Sequence, residues 1–298
     1  MEVRRSIPKA GMLAILGLLG ILAMPALAPA LRTHPSGWSR LFYAAYRTHV
    51  RAAFAARQDF LTRDDQHFIL KYTRADAAVA GAVLRQADLA YDRVTKDLDY
   101  SPPGKVVLVL YPDRASLQRS FGWSSQDQAL GVYWAGVIRL LSPRVWLPTG
   151  DERQLEAAYG REGPVTHEFT HLVLDYRTDG NYPYWFTEGL AQWEEYRYTG
   201  YLWLEPQSRL DQPLYSVAEL STSFPALPNQ ALAYREAFLL VRMLDGEEGD
   251  GGLQRLVGLL AKGVSWDEAL DEVYGMAPAG LQKRFTDYLA RPGSGGED

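Results

Sequence analysis

Two imidazoles four residues apart, with a carboxylate directly after the first, stand near the middle of the chain: His167, Glu168, Phe169, Thr170 and His171 read HEFTH. If residues 164–175 are helical, both imidazoles lie one turn apart on one face. They then form a two-pronged clamp for a divalent metal, and Glu168 lies beside that face, within reach of a water on the metal rather than of the metal itself. A carboxylate so placed is the natural general base for hydrolysis. With only 5 His in 298 residues the pattern is specific, yet two imidazoles do not close a tetrahedral zinc site.

A third ligand is therefore required, and Glu188 is the next acidic residue on a plausible element, within Tyr184-Trp185-Phe186-Thr187-Glu188-Gly189-Leu190-Ala191. Asp179 comes sooner, but Thr178-Asp179-Gly180-Asn181 reads as a turn whose Asp bonds local backbone. Residues 187–196 fit a second helix with Leu190, Ala191 and Trp193 apolar, Thr187 as N-cap and Glu188 in the first turn. Glu194 and Glu195 read as solvated charge, with Glu195, two turns past Glu188, the reserve ligand. Asp175, one turn beyond His171, either orients a ligand imidazole or ends the helix in solvent. His34, His49 and His67 have no second ligand at metal spacing and read as surface or structural residues.

HEFTH, a short turn and then Pro183-Tyr184-Trp185-Phe186-Thr187-Glu188-Gly189-Leu190-Ala191 resembles the gluzincin zinc metallopeptidases, in particular the peptidase MA-like domain family, over about residues 65–290. The resemblance implies an α+β, thermolysin-like metallopeptidase fold: a mixed β-sheet, an active-site helix and a helical C-terminal subdomain. It implies one Zn(2+) per chain held by His167, His171 and Glu188, with Glu168 as catalytic base. Gluzincins also place a Tyr over the metal to stabilise the oxyanion, a role that points to Tyr234, with Tyr198 and Tyr201 as alternatives among 18 Tyr. Finally, residues 131–135 would form the strand at the cleft edge that pairs with an extended peptide.

The elements that must position these residues are legible as periodicities. Residues 67–72 alternate like a strand, residues 105–111 form a continuous apolar run of the kind buried on both faces, and residues 129–147 read as a hairpin broken at Gly136 and Pro143. Helices fit residues 76–98 and, briefly, 116–121. A loop rich in Pro, Ser and aromatics spans residues 200–228 and crosses the cleft. Four more helices follow at 229–245, 251–262, 266–274 and 278–290, the third with a capping box from Ser265 and Glu268.

At 47% hydrophobic the chain can bury one large core or two smaller ones. A net charge of -5 leaves no basic excess to replace phosphate counterions, which argues against nucleic acid as a partner. The absence of Cys excludes disulfides, thiolate metal sites and thiol catalysis. Arg4, Arg5 and Lys9 precede a charge-free apolar run at residues 10–31, long enough for a membrane helix of about 20 residues. It reads as a signal anchor, or as a signal peptide cut near Ala28-Pro29-Ala30, and either sends the rest of the chain out of the cytoplasm. The expected organisation is a signal segment at 1–31, a juxtamembrane amphipathic helix and linker at 32–64 (studded by Arg40, Arg47, Arg51 and Arg57), a sheet-containing peptidase part at 65–200, a helical part at 201–292 and a tail at 293–298.

The expected activity is a zinc-dependent peptidase in the cell membrane with its catalytic domain outside, acting on peptide or protein substrates. Two other readings keep the same residues: a non-catalytic binding protein at the membrane surface that retains the fold, and a metal-dependent amidase acting on cell-wall material.

Overall fold

The computed structural model describes residues 37–121, 129–147, 151–247 and 251–291. The expected N-terminal hydrophobic helix at residues 10–31, His34 and the tail at 293–298 lie outside those residues. None of the described helices is long and apolar enough to cross a membrane.

In chain order the elements are α1 (Gly37–Ala55), β1 (Leu61–Asp64), β2 (Phe68–Tyr72), α2 (Ala80–Asp97), β3 (Val106–Tyr111), α3 (Arg114–Phe121), β4 (Gly131–Trp134), β5 (Val137–Leu141) and the short α4 (Pro143–Trp146). Then come α5 (Glu152–Glu162), α6 (Val165–Thr178), α7 (Tyr184–Thr199), α8 (Val217–Ser223), α9 (Gln230–Glu247), α10 (Gly252–Ala261), α11 (Trp266–Tyr274) and α12 (Pro278–Leu289). The architecture is α+β, with a five-stranded mixed sheet in the order β1-β2-β3-β5-β4. β2, β3 and β5 run parallel, while β1 and β4 are antiparallel edges.

β3 explains the sheet's two layers. All six of its residues are buried, and because side chains alternate across a strand they serve two cores. Val106, Leu108 and Leu110 join Phe68, Leu70, Ile138 and Leu140 against α2 and α6. Val107, Val109 and Tyr111 face the other way, onto Leu117 and Phe121 of α3 and Val50 and Phe54 of α1. The segment at 32–64 read equally as a juxtamembrane helix or as a helix packed on the domain, and its described residues pack on the domain: α1 covers one face of the sheet and β1 is its outer strand.

The helical C-terminal part is built on α9, in which Leu232, Ala233 and most of the stretch through Leu244 are buried. The capping box of Ser265 and Glu268 starts α11 as expected. α5, not anticipated from the sequence, starts at Asp151, whose side chain accepts the Gln154 N–H.

Candidate metal centre

α6 turns two faces to two different tasks. Val165, Phe169, Leu172 and Val173 are buried in the core beneath the sheet, and the ring of Phe169 lies 5.7 Å from that of Phe68. On the opposite face His167 and His171 stand one turn apart, ring centroids 4.8 Å from each other and nearly perpendicular. Both are partly exposed.

α7 brings the third group. It starts at Tyr184 after Pro183, three residues earlier than the expected Thr187 cap; Trp185 and Phe186 are fully buried, and their packing carries the helix back to the proline. Glu188 thus lies in the second turn rather than the first. Its Oε2 approaches His167 Nε2 at 3.6 Å and His171 Nε2 at 3.5 Å, and one ligand atom from each of the three lies within 4.8 Å of the others. Gly189 permits this placement. A Cβ there would lie 2.2 Å from the carbonyl oxygen of Ala237, so only glycine lets α7 and α9 cross so closely.

The far nitrogens of the imidazoles are engaged as well. His171 Nδ1 lies within hydrogen-bond distance of Thr187 Oγ1, at 2.7 Å, and His167 Nδ1 lies 3.5 Å from Glu195 Oε2. An oxygen that accepts from Nδ1–H, as the Glu195 carboxylate does and the Thr187 hydroxyl can, leaves the Nε2 lone pair inward, the arrangement that orients imidazoles for a metal. Two inward imidazole nitrogens and one carboxylate oxygen match the three-ligand donor set that suits zinc.

Electrostatics fit the same arrangement. Burial opposes ionisation of Glu188, but the neighbouring His171 and His167 outweigh it and hold its carboxyl well below the usual carboxylate range. Burial likewise disfavours a charged His167, yet the carboxylates of Glu188 and Glu195 push it well above its ordinary value. The same two carboxylates would stabilise a cation between the imidazoles. Glu168 differs: burial raises it, partly offset by the two imidazoles. Its Oε2 accepts the backbone N–H of Tyr133 in β4 at 2.6 Å.

Other expected residues fall as follows. Tyr234 of α9 borders the site, and the charge of Glu188, then burial, raises its hydroxyl well above 10, so it remains a donor. The hydroxyl of Tyr198 is instead bonded to Asp97, and Tyr201 lies close enough to Glu195 to feel its charge. His49 is exposed, while His67 stacks on Tyr91 at 3.8 Å and meets Asp88 at 3.3 Å. β4 is an edge strand against α6.

Four assignments change. Glu194 and Glu195 are buried, at 1% and 8% exposure, not solvated; Glu195 addresses His167 from behind, outside the convergent trio. Asp175 neither faces a ligand imidazole nor ends in solvent: it is fully buried, and its Oδ2 accepts from Tyr43 and Tyr133 hydroxyls and from Arg47. Asp179 occupies the left-handed position after α6, but its carboxylate pairs with Arg47 at 3.1 Å rather than with local backbone. Thr187 supports an imidazole instead of capping a helix. Tyr43 and Arg47 lie some 130 residues from Asp175 and Asp179 in sequence, and Tyr133 lies 42 from Asp175, where no local pattern reveals them.

Residues 149–291 match the family model of the peptidase MA superfamily. That segment contains α5 to α12 and every group of the convergent trio, together with Glu168 and Tyr234; the sheet precedes it. Among solved structures, the chain is similar to a single-residue mutant of an M1 zinc metallopeptidase from Deinococcus radiodurans, at 14% identity and a TM-score of 0.38. The match covers 78% of this chain and 52% of that one, so the chain spans about half the length of that relative. No curated protein matches.

Proposed function

We propose that the chain is a zinc-dependent peptidase in which His167, His171 and Glu188 hold the metal, Glu168 is the general base and Tyr234 donates to the oxyanion. The observation that carries it is the convergence of both Nε2 atoms on Glu188 Oε2 at 3.5 and 3.6 Å, next to a buried carboxylate that is not itself among the three. Zinc bound there supplies a Lewis acid that lowers the pKa of water and polarises the scissile carbonyl.

The chain's own residues do the rest. Glu168, raised by burial and aimed by the Tyr133 N–H, accepts the proton of the attacking water and then delivers it to the departing amine nitrogen. Tyr234, protonated beside Glu188, hydrogen-bonds the oxygen on which negative charge develops. The register of β4 against β5, with the Leu141 N–H on Leu130 O, turns the backbone groups of Gly131 and Tyr133 away from β5; the Tyr133 N–H goes to Glu168, and the Gly131 groups and the Tyr133 carbonyl suit an extended peptide laid along that edge. The charge-free run at residues 10–31 after a basic cluster supports export, with the domain outside the cytoplasm.

A peptide-library digest tests the reading, run with wild type, with wild type plus chelator, and with Glu168→Gln. Cleavage confined to the first arm is expected. Equal cleavage by Glu168→Gln contradicts the assignment of the base.

A further inference from the structure

Three segments of the fold meet at the far end of α6, and their contacts lead back to Glu168. Asp175, one turn past His171, is fully buried. Its Oδ2 accepts from the Tyr133 hydroxyl, from Tyr43 OH at 3.0 Å and from Arg47 Nη1 at 3.3 Å. Arg47 also donates to the Asp175 carbonyl at 3.0 Å and, through Nη2, to Asp179 Oδ1 at 3.1 Å. Its guanidinium lies 3.9 Å from the centre of the Tyr176 ring. One side chain of α1 thus binds the last turn of α6 at several points.

Tyr133 is held at both ends. Its hydroxyl rests on Asp175 while its backbone N–H reaches Glu168, which locks β4 to α6 at two points along the helix. The hydroxyl also accepts the Gly136 N–H at 3.2 Å, in the tight turn joining β4 to β5. At Gly136, with φ of +84°, a Cβ would lie 2.9 Å from Arg47 Cγ, so the stem of Arg47 seats that turn directly. Without the guanidinium, the buried Asp175 loses a charged partner that holds it in place as the acceptor for Tyr133. β4 can then shift along α6 and carry the donor away from Glu168. None of these contacts includes His167, His171 or Glu188.

We propose that Arg47 and Tyr133 are positioning residues for Glu168: Arg47 fixes Asp175, Asp175 fixes Tyr133, and the Tyr133 amide aims the carboxylate. The inference rests on the reading of Glu168 as base. Both residues precede residue 149, so the segment that matches the family model carries the proposed metal ligands and base while the support of the base comes from α1 and the sheet.

The test compares full-length wild type, Tyr133→Phe, Arg47→Met, Arg47→Lys and Glu168→Gln by zinc content, steady-state hydrolysis of a library-selected peptide, and amide hydrogen exchange across residues 131–136. Tyr133→Phe and Arg47→Met are expected to keep one zinc per chain while kcat falls about 10- to 100-fold, the cost of a base displaced by about 1 Å. KM should change less than kcat, since β4 keeps its pairing with β5 and the metal-binding residues are untouched. The Tyr133 amide should exchange faster in both, and Arg47→Lys should recover part of each effect. If Arg47→Met does not fold, Tyr133→Phe decides, because it leaves the Arg47–Asp175 pair intact. Unchanged kcat and unchanged Tyr133 exchange overturn the inference, as does loss of zinc in step with kcat, which marks a merely structural role. Full hydrolysis by Glu168→Gln would instead remove the base assignment; amide exchange then still decides whether Arg47 and Tyr133 order the Glu168 contact.

Discussion

Gly189→Ala is the substitution whose outcome the packing determines most sharply. A methyl at this position would lie 2.2 Å from the carbonyl oxygen of Ala237, 2.6 Å from its carbon and 2.8 Å from Val241 Cγ2. Ordinary contact needs about 3.5 Å, so α7 and α9 must separate by roughly 1 Å, and the obstacle is largely backbone, which cannot swing aside. Overpacking of this kind costs about 1–3 kcal/mol, and backbone on the receiving side places it at the upper end. Alanine's better helix propensity returns about 1 kcal/mol, leaving a net loss of about 2 kcal/mol. Gly246, in the last turn of α9 with nothing within 4 Å of its added Cβ, is the internal control, where only the propensity gain, up to about 1 kcal/mol, operates. Urea denaturation should therefore lower the midpoint for Gly189→Ala and raise it slightly for Gly246→Ala, at constant slope. Because Glu188 is the adjacent residue, zinc affinity should fall in the first variant alone. A Gly189→Ala protein as stable as wild type would show that the two helices do not cross as described.

Glu195→Gln and Thr187→Val each remove a support behind one imidazole and should weaken zinc binding about 10- to 100-fold without abolishing it, measured by competition with a chromophoric chelator; an unchanged affinity removes both residues from the site's support. Glu168→Gln should retain zinc and lose hydrolysis by about 100- to 10,000-fold, read from initial rates. Tyr234→Phe should lower kcat more than it raises KM, since its donor acts on charge present only in the transition state; a change in KM alone contradicts that role. Glu194 is pushed up to about 8 by burial and by Asp97 beside it. The folded state therefore holds a proton that the unfolded state releases near the ordinary Glu value of 4.5. Its contribution to stability is complete below that value and is lost as pH rises towards 8. Unfolding free energies at pH 5, 6.5 and 8 should fall less steeply for Glu194→Gln than for wild type, and identical slopes would refute the assignment.

Much of the site was readable before any coordinates because its chemistry is local. His167, Glu168 and His171 share one helical turn, and Glu188 follows on the next helix, so spacing gathered the two imidazoles and the base, while Glu188 needed the helix start and the family resemblance to be preferred over Asp179 and Glu195. The strands at β2, β3 and the β4–β5 hairpin, and the last four helices, follow from periodicity driven by burial. What escaped depends on contacts distant in sequence. Asp175 and Glu195 look like ordinary helix-surface acids until Tyr43, Arg47 and His167 are brought against them. β1 has four exposed residues and no apolar alternation; its pairing with β2 comes from backbone hydrogen bonds and from Lys71 Nζ on Thr62 Oγ1. α5 is rich in charge and declares itself only through the Asp151 cap. The start of α7 was misplaced because Tyr184, Trp185 and Phe186 read equally as a strand end, and the core that buries Trp185 and Phe186 decides for helix.

Metal analysis of wild type beside Glu188→Ala tests the centre most directly. After exhaustive dialysis against zinc-free buffer, one zinc per chain is expected in wild type and a small fraction of that in Glu188→Ala, in which two imidazoles remain but the carboxylate facing both is gone. Zinc retained at full occupancy by Glu188→Ala would contradict the trio of His167, His171 and Glu188, and with it the proposed metallopeptidase site.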